Sequence, residues 1–182
     1  MKIGKIALLT VALAAGTSFA VAADKGEKGQ LSSKDFKFAV EAAQGGMAEV
    51  QMGELAKQKA TNPQVKSFAE KMVTDHNKAN DELKQIVSRK GGTLPTELPR
   101  KENSHYESLQ KSTEFDKDYV EHMVKDHKKD VKDFQDAAQS LNDPDLKAFA
   151  QKTLPTLQEH LRTIEQLEPQ VTGKRLTTTG RP

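Results

Sequence analysis

The sequence predicts an all-α protein, a four-helix bundle built from two helical hairpins. Apolar residues recur at helical spacing in four stretches of the chain. Strand-like patterns are scarce: only 5% of the residues are aromatic, and there is no tryptophan. At two of the predicted helix starts, proline directly follows Asn or Asp, a position where its missing N–H breaks no helical hydrogen bond.

The first 22 residues have the pattern of an export signal. Two lysines open it, an apolar run covers residues 6–15, and small residues at 20–22 have the spacing that a signal peptidase cleaves. The apolar run is shorter than the ~20 residues of a membrane-spanning helix. We therefore predict cleavage after Ala22, a periplasmic protein with no transmembrane segment in its mature form, and a linker over residues 23–31.

Removal of this leader balances the charge of the chain. The whole sequence has 28 Lys and Arg and 26 Asp and Glu, and the leader carries two lysines and no acid. The mature chain thus has no basic excess that would favour nucleic acid as a partner. The absence of cysteine excludes thiol redox chemistry and thiolate metal sites. Neither a phosphate-binding loop nor a nucleophile elbow is present, which favours a protein that is not an enzyme.

Caps and breakers place the helices within a domain at residues 32–168. Asp35, three residues after Ser32, favours a capping box at the first start, and Pro155 should kink the last helix. Residues 169–182 have no periodicity and are predicted to be a disordered tail. The predicted helices run from Ser32 to Thr61, from Pro63 to Gly91, from Ser112 to Leu141 and from Pro144 to Leu167.

The two halves of the domain repeat each other at a spacing of 81 residues. This shift superimposes Asp35 on Asp116 and Pro63 on Pro144, together with neighbouring apolar positions, and indicates a duplicated hairpin. The connector from Gly91 to Lys111, whose last part could be helical, is long enough to cross a bundle of ~40 Å. Such a crossover makes the second and third helices parallel, which is the ferritin-like arrangement.

Several blocks of the sequence have a recognisable family pattern. They are Phe38–Ala43, Gly46–Val50, Asn62–Ala69, Met72–His76, Leu154–Pro155 and His160–Leu161. Together they resemble the bacterial family known as domain of unknown function 4142, over roughly residues 33–168. The resemblance implies an exported, ferritin-like helical bundle and no established activity.

Three histidines lie in the apolar stripes of three different predicted helices, at His76, His127 and His160. His76 is ~20 Å and His160 ~24 Å along its helix, and His127 is about midway along its own. Each follows an acidic residue, which lies ~100° round the helix at the edge of the stripe. We therefore predict that the histidines meet in the core, with His160 depending on the turn of the helix at Pro155.

Methionines accompany these histidines. Met72 and Met123 precede His76 and His127 by one helical turn, and Met47 lies at a similar height on the first helix. Thioethers with imidazoles favour copper, especially Cu(I), whereas three imidazoles and an open position suit zinc. Di-iron is disfavoured, because no acid stands three residues before any of the three histidines, as that type of site requires.

Two functions remain open. The first is a non-enzymatic binding or stress-related structural bundle, with an envelope protein or a second copy as partner. Its methionines fill the core, and its histidines bond to a neighbouring carboxylate or to Asn77. The second is a copper- or zinc-binding bundle. The metal content of the purified protein distinguishes them.

Overall fold

The computed structural model describes residues 30–173 and contains five helices and no strand within that range. The predicted leader, most of the predicted linker and residues 174–182 of the predicted tail lie outside it. The helices are α1 Ser33–Lys59, α2 Pro63–Arg89, α3 Arg100–Lys111, α4 Phe115–Ser140 and α5 Pro144–Thr172. No helix in the described range combines the length and apolarity that crossing a bilayer requires.

Side-chain caps begin three of the helices at the predicted residues. Ser32 Oγ accepts the N–H of Asp35 at 3.1 Å and caps α1. Asn62 and Asp143 cap α2 and α5, each accepting two backbone N–H groups, with proline in the first turn of both helices. These caps satisfy N–H groups that have no partner within a helix.

The chain packs as two antiparallel hairpins, α1–α2 and α4–α5, lying side by side. At one end Thr61 and Asn62 contact Asp116 at the start of α4, and at the other end Lys90 pairs with Asp143 at the start of α5. α2 and α4 therefore run parallel, and α5 runs antiparallel to α2. The connection between the hairpins crosses the length of the bundle and ends in α3, which packs on α1 and α4.

The helix count and two predicted boundaries need correction. The end of the connector forms a complete helix, α3, so the chain has five helices. α4 begins at Phe115 rather than near Ser112, because residues 112–114 form the turn that follows α3. α5 continues through Pro155 to Thr172, so residues 169–172 are helical although we expected them in the disordered tail.

The buried face of α1 also differs from the predicted stripe. Of the apolar positions expected to face the core, Ala43 is buried, whereas Phe36, Val40, Met47 and Val50 are only half-buried. Small residues face inward instead, and a Cβ on Gly53 would come within 2.9 Å of Val73 Cγ2. The close approach of α2 thus rotates α1 by about one residue position.

The core consists of two apolar clusters separated by a polar layer. One cluster, around Phe68, Tyr119 and Ile164, fills the end of the bundle near the α1–α2 turn. The other, around Leu83, Phe149 and Leu157, fills the opposite end. The buried polar residues between them are Glu49, His76, His127 and His160.

Candidate metal centre

Three imidazoles from three helices meet in this polar layer. His76 of α2, His127 of α4 and His160 of α5 are 6%, 0% and 1% exposed. Their ring centroids are 5.8 Å apart for His76 and His127, and 5.4 Å apart for each of the other two pairs. One ring nitrogen of each lies within 4.8 Å of the other two. The matching heights in the sequence predicted this convergence, and His160 takes part despite Pro155.

Each imidazole has one nitrogen held by an oxygen atom. His127 Nδ1 donates to the carbonyl oxygen of Met123 at 3.0 Å. His160 Nε2 lies 2.8 Å from Asp75 Oδ2, on the neighbouring helix α2. His76 Nδ1 lies 3.0 Å from Glu49 Oε2. Since a carbonyl can only accept, the neutral ring of His127 carries its proton on Nδ1 and its lone pair on Nε2.

The remaining nitrogens are buried and have no hydrogen-bond partner among the described residues. They are His76 Nε2, His127 Nε2 and His160 Nδ1. A buried polar atom without a partner costs about 1–3 kcal/mol. Three such atoms in one layer are therefore an expensive way to build an inert core.

Electrostatics keeps these rings neutral. Burial, together with the nearby His160, lowers the pKa of His127 to about 4, and burial with the neighbouring rings lowers that of His76 well below its usual value. Burial also lowers the pKa of His160, although the carboxylate of Asp75 opposes the shift. Burial acts to raise the pKa of Asp75, but hydrogen bonds from Lys71 and His160 outweigh it and keep this group ionised. All three rings thus have a lone pair at neutral pH.

Two carboxyl groups lie beside the imidazoles. Glu49 is 3% exposed, and its Oε1, 3.5 Å from His127 Nδ1, has no hydrogen-bond partner among the described residues. An oxygen of Glu49, an oxygen of Asp130 and a nitrogen of His127 lie within 4.8 Å of one another. Burial, with the charge of Asp126, raises the pKa of Asp130 to about 7, and burial raises that of Glu49 well above its usual value.

A small cavity connects this polar layer with the side of the bundle. Its volume is about 40 Å³, enough for water, and its lining includes Glu49, His76 and Asp130. Gly46 and Asn80 also line it, and a Cβ on Gly46 would come within 2.3 Å of Asn80 Oδ1. Glycine on α1 therefore leaves space for the Asn80 amide at the cavity wall.

The candidate methionines occupy different surroundings. Met72 and Met123 are fully buried in the apolar cluster with Phe68 and Tyr119. Met47 is half-buried and outside the buried core, because α1 is rotated from the predicted orientation. A role for the methionines as ligands stays a prediction.

Sequence reasoning did not single out Glu49, Asp75 or Asp130 as partners of the histidines. The repeat carried one usable signal, since Asp130 follows Glu49 by the same 81 residues that relate the two hairpins. His105 and His122, expected at the surface, are half-buried, and their ring centroids are 4.8 Å apart. These two rings lie outside the three-histidine layer, on α3 and α4.

Comparison with known proteins agrees with the architecture. The model of the family described as "Domain of unknown function (DUF4142)" matches residues 20–167. The chain belongs to the DUF4142 family. Among solved structures, a DUF305 fragment from Deinococcus radiodurans has a similar fold, with a TM-score of 0.68 at 12% identity, covering 78% of this chain and 99% of that one. No curated protein matches the sequence.

Proposed function

We propose that this DUF4142 protein binds one zinc or copper ion in the core of its bundle, on the imidazoles of His76, His127 and His160. The observation that carries the proposal is the set of three buried, adjacent ring nitrogens without hydrogen-bond partners among the described residues. A metal ion supplies the partner that each lone pair lacks. Three imidazoles with a further position for water or another ligand are a common zinc site, and imidazole also suits copper.

The oxygen atoms behind the rings support this proposal. Histidines that bind a metal usually donate their other N–H to a carboxylate or a backbone carbonyl, which fixes the ring and makes it more basic. Asp75, Glu49 and the Met123 carbonyl stand in these places for His160, His76 and His127. When His76 Nε2 binds a cation, Nδ1 keeps its proton and Glu49 accepts it as a carboxylate. Binding therefore favours loss of the proton that burial holds on Glu49.

We also infer the setting of the site. The parallel α2 and α4 and the long connection between the hairpins support a ferritin-like arrangement, with ligands on facing helices. The pattern of residues 1–22 supports export to the periplasm with cleavage after Ala22. The intact mass of protein from periplasmic extract tests this export, since a chain that retains its first 22 residues contradicts it.

A titration of the metal-free protein with Zn²⁺ and, separately, with Cu²⁺ tests the proposed function. Isothermal calorimetry and metal analysis of the dialysed protein should give one ion per chain. We expect His76→Ala to abolish binding of that ion, because only two imidazoles remain. His105→Ala is the matched control, since it removes a histidine outside the layer, and it should bind as the unaltered protein does.

The same titration distinguishes a structural polar layer. In that case neither ion binds, and His76→Ala changes only the thermal stability, by about 1–3 kcal/mol for the lost contact with Glu49. Repeating the titration with Cu(I) under reducing conditions tests the methionines. If Met72 or Met123 is a ligand, replacing it by leucine should weaken Cu(I) binding and leave Zn²⁺ binding unchanged.

A further inference from the structure

The carboxyl groups of Glu49 and Asp130 form a second cluster on the cavity side of the layer. Both line the cavity, one from α1 and one from α4. They occupy equivalent positions of the two duplicated hairpins, so the repeat brings them together from opposite sides. Glu49 Oε2 faces His76, whereas Oε1 has no hydrogen-bond partner among the described residues.

The charges around this pair do not compensate it. Asp126 adds negative charge, and its own ion pair is with His122, 2.9 Å away. The nearby cation on α4, Lys129, is exposed and pairs with Asp133. Two carboxyl groups this close cannot both ionise without help, so they hold either a proton or a cation between them.

We propose that Glu49 and Asp130 bind a second divalent cation, of the type that prefers oxygen ligands, next to the three-histidine site. Carboxylates and water are the ligands of Mg²⁺, Ca²⁺ and Mn²⁺, and the adjoining cavity has room for the water. This site is distinct from the proposed zinc or copper site, because its ligands are carboxylate oxygens. The two sites are adjacent through His127, which belongs to both clusters.

Binding of Mn²⁺, followed by electron paramagnetic resonance, tests this inference on the complete protein. The signal of free Mn²⁺ disappears on binding, which gives the affinity and the number of ions. We expect one Mn²⁺ per chain, with a dissociation constant below about 1 mM. Asp130→Asn keeps the side-chain shape and should weaken binding more than about tenfold, as should Glu49→Gln.

Two control variants separate this site from its neighbours. Asp133→Asn removes an exposed carboxylate of the same helix and should not change Mn²⁺ binding. His160→Ala removes an imidazole that contacts Asp75 rather than the carboxyl pair, and it should retain Mn²⁺ even though it impairs the three-histidine site. Circular dichroism confirms that each variant is folded.

Three results would overturn the inference. They are no Mn²⁺ binding below about 1 mM, unchanged binding in folded Asp130→Asn, and loss of Mn²⁺ in His160→Ala together with its retention in Asp130→Asn. The first means that the carboxyl pair holds only a proton. The last means that Mn²⁺ occupies the imidazoles. None of these results decides whether zinc or copper binds the histidines, so failures of the two proposals remain distinguishable.

Discussion

Asp35 and Asp116 are equivalent residues of the two hairpins, and each holds the turn of the other hairpin. Asp35 accepts the backbone N–H groups of residues 142–143 at 3.0 and 3.2 Å. Asp116 accepts those of residues 61–62, at 3.0 and 2.8 Å for the shortest contacts. The same contact thus occurs twice, at opposite ends of the bundle and with the hairpins exchanged. The duplication therefore supplies the contacts that hold its two copies together.

Removing either carboxylate should destabilise the bundle. We expect Asp35→Ala and Asp116→Ala each to lower the free energy of unfolding by about 1–3 kcal/mol, because backbone N–H groups lose their acceptor. The effects should add in the double variant, since the sites lie at opposite ends. Urea unfolding measures this. Asp136→Ala, which removes an exposed partner of Lys132, is the control and should change stability by less than about 0.5 kcal/mol.

Asp75 should tune the affinity of the proposed metal site. Asp75→Asn weakens the acceptor for His160 Nε2, so we expect a 10- to 100-fold lower affinity with an unchanged stoichiometry of about one ion. Calorimetric titration with Zn²⁺ measures both quantities. Asp81→Asn, an exposed change on the same helix, should bind normally. Equal affinities in the two variants would show that Asp75 does not orient a ligand.

Asp130 should make stability fall as the pH rises. Its pKa is about 7 in the fold against an ordinary 3.8, so the folded protein binds more protons between these values. Relative to Asp130→Asn, the metal-free protein should lose stability from pH 3.8 to 7, by up to ~1.4 kcal/mol per pH unit. Unfolding in urea at several pH values, with a chelator present, tests the slope. A difference that does not vary with pH contradicts the proton on this group.

His127 should act in the opposite direction. Its pKa is about 4 in the fold against an ordinary 6.5, so the unfolded chain binds more protons in this window. Its contribution is complete above pH 6.5 and is lost as the pH falls towards 4. Relative to His127→Gln, the metal-free protein should therefore gain stability as the pH rises from 4 to 6.5. The same series of unfolding curves measures it.

Two glycines of α1 should respond oppositely to alanine. A Cβ on Gly45 meets no described atom within 4 Å, so Gly45→Ala should stabilise the helix by about 0.5–1 kcal/mol. A Cβ on Gly53 would lie 2.9 Å from Val73 Cγ2 and 3.3 Å from the Ala69 carbonyl oxygen. Gly53→Ala should therefore destabilise the α1–α2 contact by about 1–3 kcal/mol. Thermal unfolding of the two variants compares them, and a stabilised Gly53→Ala would refute the close approach.

The predicted stripe was reliable where the buried face of a helix carries large apolar residues, and unreliable where it does not. In α2, Phe68, Met72 and His76 all lie in the core as the period predicts. In α1 the inward residues are mainly alanine and glycine, and the large side chains lie at the edges of the face. The pattern therefore indicated the wrong orientation for α1, favoured Met47, and concealed Glu49.

Local chemistry alone determined the helix starts, the duplication and the common level of the three histidines, because caps, prolines and helical rise act within a few residues. The partners of those histidines were decided by tertiary structure. Asp75 reaches His160 across two helices, and Glu49 reaches His76 from a third. Each contact depends on how far one helix is rotated against another. One residue changes that direction by ~100°, so it follows only from the packed bundle.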